Sequence, residues 1–152
     1  MVNIENFRHI VRLVNTDLDG NKPVYMAIRK IKGVGFMYAN LVCHLSGVDR
    51  NAKIGSLDVA NVDKVKHVLE NPDQYKIPVW MKNRRKDYEI GKDKHLLDTN
   101  LLVAKDDDIK RLKKIKSYKG SRHTAGLPVR GQNTKSKHRR NKGKALGVTK
   151  KK

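Results

Sequence analysis

Acidic residues are missing from the end of this 152-residue chain: all 15 Asp and Glu precede Ser117. The stretch Ser117–Lys152 carries 12 Lys and Arg, so it holds +12 of the formal charge of +20 and leaves +8 for everything before it. Cysteine is nearly absent too. A lone Cys43 excludes an internal disulfide framework and a paired-cysteine zinc motif, and the six His are scattered without ligand spacing. No apolar run approaches the roughly 18 residues that span a bilayer. Residues Met1 to Asn15 lack the basic-then-apolar layout of a signal peptide. The expectation is a soluble, cytoplasmic protein with neither metal nor cofactor.

What is present is positive charge. Self-repulsion at +20 destabilises a compact state unless a polyanion supplies the countercharge. Anchoring to an anionic membrane would require large apolar residues among the basic ones, and the tail has almost none. Nucleic acid is the partner that fits.

Apolar spacing predicts a mainly α fold. Phe7 to Val14 alternates in part with period two, a short extended arm, and Asp17 to Asn21 (D-L-D-G-N) is a turn cluster. Pro23 opens a short helix through Met26, Ile28 and Ile31 that stops near Gly33. After Gly35, Met37, Leu41 and Leu45 line one face of a second helix closed by Gly47. Ser56 or Asp58 caps a third, with Val62, Val65, Val68 and Leu69 inward, before Pro72 ends it. From Pro72 to Leu96 the pattern breaks into an ordered excursion. Asp98 then caps a longer helix built on Leu101, Leu102, Ile109, Leu112 and Ile115, with Asp106 and Asp107 four residues before Lys110 and Arg111. Past Ser117, glycines interleaved with cations leave too little apolar surface to offset ordering entropy. The expected organisation is a helical domain over 1–96, a long helix over 97–116 and a basic extension over 117–152 that is disordered when free.

Nothing in the pattern converges on catalysis. Cys43 and His44 are adjacent, so on a helix they point about 100° apart, and no third group orients them. Asp106, Asp107 and Asp108 fan out instead of meeting. Three motifs suit nucleic acid better. In Ile31-Lys32-Gly33-Val34-Gly35, two glycines between helices permit a tight turn, so that backbone N–H groups and a helix N-terminus meet a phosphate beside Lys32. An ordinary turn is the competing reading. Trp80 and Tyr75 stand near Lys82, Arg84, Arg85 and Lys86, where Arg84 and Arg85 would grip a backbone. Trp80 itself reads first as a packing anchor and only second as a base-stacking platform. The tail offers Lys119, Arg122, His123, Arg130, Lys135, Lys137, Arg139, Arg140 and Lys142 to phosphates, and Gln132, Asn133 and Thr134 to sugars or base edges. A localisation signal or solubilising tail is its alternative.

The tail segment R-H-T-A-G-L-P-V-R-G-Q-N-T-K, Arg122 to Lys135, closely resembles the signature of the small-subunit ribosomal protein S-thirteen family, numbered eighteen in older eukaryotic nomenclature. I-K-G-V-G at Ile31, N-P-D-Q-Y-K-I-P at Asn71 and R-L-K-K-I at Arg111 follow in family order, and the Gln74–Pro78 segment resembles the eukaryotic form. The resemblance implies a helix-turn-helix-like hairpin and a long helix seated on small-subunit rRNA beside protein S-nineteen. It also implies a bridge to a large-subunit protein and a tail from Arg130 onward reaching peptidyl-site tRNA. A free hairpin-type DNA-binding protein is the alternative, and a histone-like counterion protein a third.

Overall fold

A computed structural model of the chain describes residues 7–135. Backbone contacts divide the chain into two compact units, Met1–Val103 and Ala104–Lys152.

The first unit opens on an antiparallel hairpin, β1 (Ile10–Leu13) paired with β2 (Thr16–Asp19) in the register Val11 to Leu18 and Arg12 to Asp17. Alternation sends Val11, Leu13 and Leu18 into the core and sets Arg12 against Asp17 at 3.9 Å on the outer face. The expected arm is therefore a hairpin. Its turn lies at Val14–Asn15, both at positive φ (45° and 58°), and not in the D-L-D-G-N cluster, whose first three residues belong to β2. Two strands alone are marginal. The 3.0 Å bonds from the Arg8 N–H to the Gly55 carbonyl and from the Gly55 N–H to the Gly20 carbonyl fasten this hairpin to the body.

Three helices complete the body: α1 (Val24–Ile28), α2 (Phe36–Ser46) and α3 (Val59–Glu70). Helix α1 is one turn long, and Ile31 reaches the core from the turn that follows it. Helix α2 places Leu41 and Leu45 at the edge of the core, half-buried against it, and centres its packing beside them. Tyr38, Ala39, Val42, Cys43 and Ser46 are buried, while Met37 is 59 % exposed. Both faces are apolar, and the small Ala39 and Cys43 let α2 approach its neighbours more closely than Leu41 and Leu45 would. Gly47, at φ 67°, ends the helix as expected. Burial pushes the Cys43 thiol up to about 11, so it serves as a small protonated core residue. Helix α3 buries Val62, Val65, Val68 and Leu69 as its spacing requires.

Asp98–Lys114 forms α4, the long helix. None of its side chains is fully buried, and Leu102 and Val103 are exposed. Ion pairs at i,i+3 run along it, Asp107 to Lys110 at 3.1 Å and Asp108 to Arg111 at 3.7 Å.

Within the second unit, the composition past Ser117 predicts no regular element, yet α5 (Tyr118–Thr124) forms. The Ser117 hydroxyl caps it by accepting from the Gly120 N–H at 3.1 Å, and Gly120 is buried against the Leu112 carbonyl where no Cβ would fit. A capping serine and one close backbone approach thus order a segment that has little apolar surface. The remainder of the extension, from residue 136 on, lies outside the described residues.

Candidate nucleic-acid interface

The two glycines of the hairpin between α1 and α2 have different tasks. Gly33 sits at φ +99°, and a Cβ there would lie 2.5 Å from the Leu96 carbonyl oxygen and 3.3 Å from Leu97 Cδ2. The contact is held from both sides. Asn83 donates through Nδ2 to the Leu96 carbonyl at 2.7 Å and accepts from the Leu96 N–H at 2.8 Å, while the Asp98 N–H donates to the Lys32 carbonyl at 2.8 Å. Gly33 is thus the point where the hairpin is locked onto the end of the excursion.

Gly35 is the open one. Nothing lies within 4 Å of the position of its Cβ, and it is the extended N-cap of α2 (φ −91°, ψ 178°) with no side chain capping the helix. The first-turn N–H groups of an 11-residue helix therefore face outward with the positive end of its dipole. Lys32 is exposed on the same turn. Two residues not singled out by spacing join them: the Arg29 guanidinium lies 5.7 Å from the centroid of the Phe36 ring, and Phe36 meets Tyr25 edge-on at 5.8 Å. Phe36 remains 50 % exposed. An aromatic at the first position of a helix, next to a glycine hairpin, was the signal for it.

Beneath the hairpin, the His95 and Tyr38 rings stack at 3.8 Å with 12° between their planes. Burial, with Lys82 adding repulsion, holds the His95 imidazolium down to about 4, and burial pushes the Tyr38 hydroxyl up to about 12. Unfolding returns His95 to an ordinary value near 6.5, so the unfolded chain takes up a proton that the folded one refuses. The contribution is complete above about pH 6.5 and is lost as pH falls toward 4. Discounted for the ring's partial exposure, it amounts to about 1–2 kcal/mol. Urea midpoints at pH 7.5 and 4.5 should therefore fall further for the natural chain than for His95→Phe, which keeps the stack without a titrating nitrogen. Equal losses would remove His95 from the acid response.

The excursion carries the second group. Arg84 and Lys94 exchange backbone bonds of 3.1 and 2.8 Å, and Asp87 ties both side chains, at 2.9 Å to Arg84 Nε and 3.3 Å to Lys94 Nζ. The Arg84 hydrogen bond is the main reason that the Asp87 carboxyl lies below the usual carboxylate range. Arg84 thus staples its own loop, whereas Arg85 and Lys86 are exposed. Tyr75 is turned toward α3, its hydroxyl 2.8 Å from His67 Nδ1. Trp80, read first from the sequence as a packing anchor, is instead 65 % exposed. The 3-10 turn Val79–Met81 that carries it holds no buried residue; Ile77 takes the core position before it.

In the second unit, Lys119 is exposed on α5. Arg122 folds the chain after the helix by donating from Nε to the Pro128 carbonyl at 3.0 Å. His123 is half-buried, and Arg130 and Lys135 are exposed. Gln132 Oε1 accepts from the Arg130 N–H at 3.2 Å, leaving its amide N–H groups outward, and Thr134 is half-buried. Lys137, Arg139, Arg140 and Lys142 lie outside the described residues.

A family model described as ribosomal protein S13/S18 matches residues 12–140. Among similar proteins named small ribosomal subunit protein uS13, that of Nanoarchaeum equitans is 48 % identical over 145 residues, 95 % of this chain and 94 % of its own. That of Methanosphaera stadtmanae is 45 % identical over the same coverage. The Methanothermobacter thermautotrophicus protein is 45 % identical over 148 residues, 97 % of this chain and 98 % of its own. The alignments run nearly end to end, so the excursion and the basic extension are part of the length these archaeal chains share with this one.

Proposed function

The chain belongs to the ribosomal protein S13/S18 family, and from that premise we propose that it is a structural protein of the small ribosomal subunit whose hairpin and extension bind the subunit's rRNA. Its part in translation is to fix RNA geometry by neutralising phosphates, with no covalent step. The observation that carries the reading is the uncapped N-terminus of α2 at Gly35, open to solvent beside Lys32.

Phosphates meet the Phe36–Tyr38 N–H groups and Lys32, with Gly33 holding the turn in shape from behind. Arg85 on the excursion, Arg84 through the loop that it staples, and Lys119, Arg122 and His123 on α5 extend the footprint. Arg130, Gln132, Thr134, Lys135, Lys137, Arg139, Arg140 and Lys142 then reach toward peptidyl-site tRNA, where high charge without acids suits a second polyanion. Exposed apolar residues such as Met37 are available to protein neighbours, for which S-nineteen and a large-subunit bridge protein are the proposed partners.

Sedimentation of a lysate at high salt tests the proposal. The protein should remain with the small subunit after washing and be absent from the separated large subunit. Complete release to the top of the gradient would refute an rRNA-anchored role and favour a free nucleic-acid binder.

A further inference from the structure

The exposed Trp80 sits on a turn that is fixed from both sides. Ahead of it Ile77 is buried, and the Met81 N–H donates to the Pro78 carbonyl at 3.0 Å. Behind it Lys82 Nζ donates to Asp73 Oδ1 at 2.6 Å and to the Asp93 carbonyl at 3.1 Å. The loop that follows neutralises its own interior, since Asp87 takes Arg84 and Lys94 and Asp93 Oδ1 accepts from the Lys86 N–H at 2.8 Å. What this leaves on the outside is mainly cationic and apolar: Lys76, Arg85, Lys86 and Lys92 are exposed against two exposed acids, Asp73, which Lys82 holds, and Glu89, and Val79 beside the indole is 50 % exposed. Arg85 follows Trp80 by five positions, so their Cα atoms lie within about 18 Å, a span of a few nucleotides.

A rigid indole among outward cations suits an RNA better than a protein surface of mixed charge. A duplex hides the faces of its bases, so only an unpaired base offers a π-face to stack on. We infer that Trp80 is the stacking platform for one unpaired base of small-subunit rRNA, whose flanking phosphates are met by Arg85 and Lys86. The inference deepens the rRNA-binding function proposed above and rests on it.

Trp80 is the single Trp of the chain, so its fluorescence reports on this site alone. Titrating the full chain with small-subunit rRNA should quench that emission. Trp80→Ala should weaken binding by about 10-fold, the size of one lost base stack, and Trp80→Phe should restore most of it. Urea midpoints of both variants should stay at the natural value, since the ring is not part of the core. Binding of rRNA at unchanged affinity by Trp80→Ala, with no quenching in the natural chain, would overturn the stacking while leaving the rRNA-binding function intact. Emission that shifts only when the other small-subunit proteins are added would overturn it in favour of a protein contact. Failure of the natural chain to bind rRNA at all would remove both readings together.

Discussion

Gly33→Ala should destabilise the first unit by about 3 kcal/mol. Placing an L side chain at φ +99° costs about 1–2 kcal/mol on its own. The new Cβ also meets the Leu96 carbonyl oxygen at 2.5 Å, and that oxygen is held in place by Asn83. Relief requires the hairpin to lift from the excursion, which loosens the bond from the Asp98 N–H to the Lys32 carbonyl and the His95–Tyr38 stack. A unit of this size holds about 5–10 kcal/mol in total, so the urea midpoint should fall by about 1.5–3 M. Gly35→Ala makes the opposite split. Its φ of −91° suits alanine and its Cβ meets nothing, so stability should change by less than about 1 kcal/mol. Affinity for small-subunit rRNA should fall by about 10-fold, because the added methyl stands where a phosphate would approach the α2 N-terminus. Midpoints and filter binding measured on both variants give a crossed result. Gly35→Ala binding as tightly as the natural chain would move the phosphate site elsewhere, and an unshifted midpoint for Gly33→Ala would show that the Leu96 contact yields.

That division of labour marks how far the sequence could be read. The spacing of Gly33 and Gly35 between two apolar segments identified the hairpin. Which glycine is packed and which is open depends on Leu96, a residue distant in the chain, and no local pattern encodes that contact. Local signals served well where one face alone was apolar, as in α3, or where a stop was unambiguous, as at Gly47. They failed where two faces competed. In α2 the Met37–Leu41–Leu45 stripe was left at the edge, with Leu41 and Leu45 half-buried against the core and Met37 exposed, while Tyr38, Ala39, Val42 and Cys43 took its centre.

Turns and polar caps account for the remaining differences. The β-hairpin turns at Val14–Asn15 without a glycine, so the neighbouring D-L-D-G-N cluster drew attention away from it. Helix α5 depends on one Ser hydroxyl and one buried Gly, features with almost no weight in an argument from apolar content. Trp80 is the reverse case. An aromatic beside prolines suggests an anchor, but Ile77 fills the core position and the indole is left outside. Charge was the most legible property, since it needs no fold to be counted.

Removing everything after Gly131 should therefore separate the two ways of holding RNA proposed for this protein. The deletion takes away nine Lys and Arg and no acid, whereas the buried core lies wholly between Val11 and Leu97. The urea midpoint of the shortened chain should equal that of the full one. Each cation that meets a phosphate contributes about 0.7 to the slope of log affinity against log salt on single-stranded RNA, so loss of six such contacts would lower the slope by about 4. At 0.15 M salt that corresponds to a loss of about 100-fold or more in rRNA affinity. The hairpin and its α2 N-terminus remain, so the shortened chain should still enter small subunits and survive a moderate salt wash. Those subunits should retain peptidyl-site tRNA less well than natural ones, and the deficit should shrink as salt is raised, because screening already weakens the contacts removed. An unchanged salt slope would show that the extension does not touch phosphate. A lowered slope with tRNA retention unaltered would assign the extension to rRNA alone and take away its reach to the tRNA.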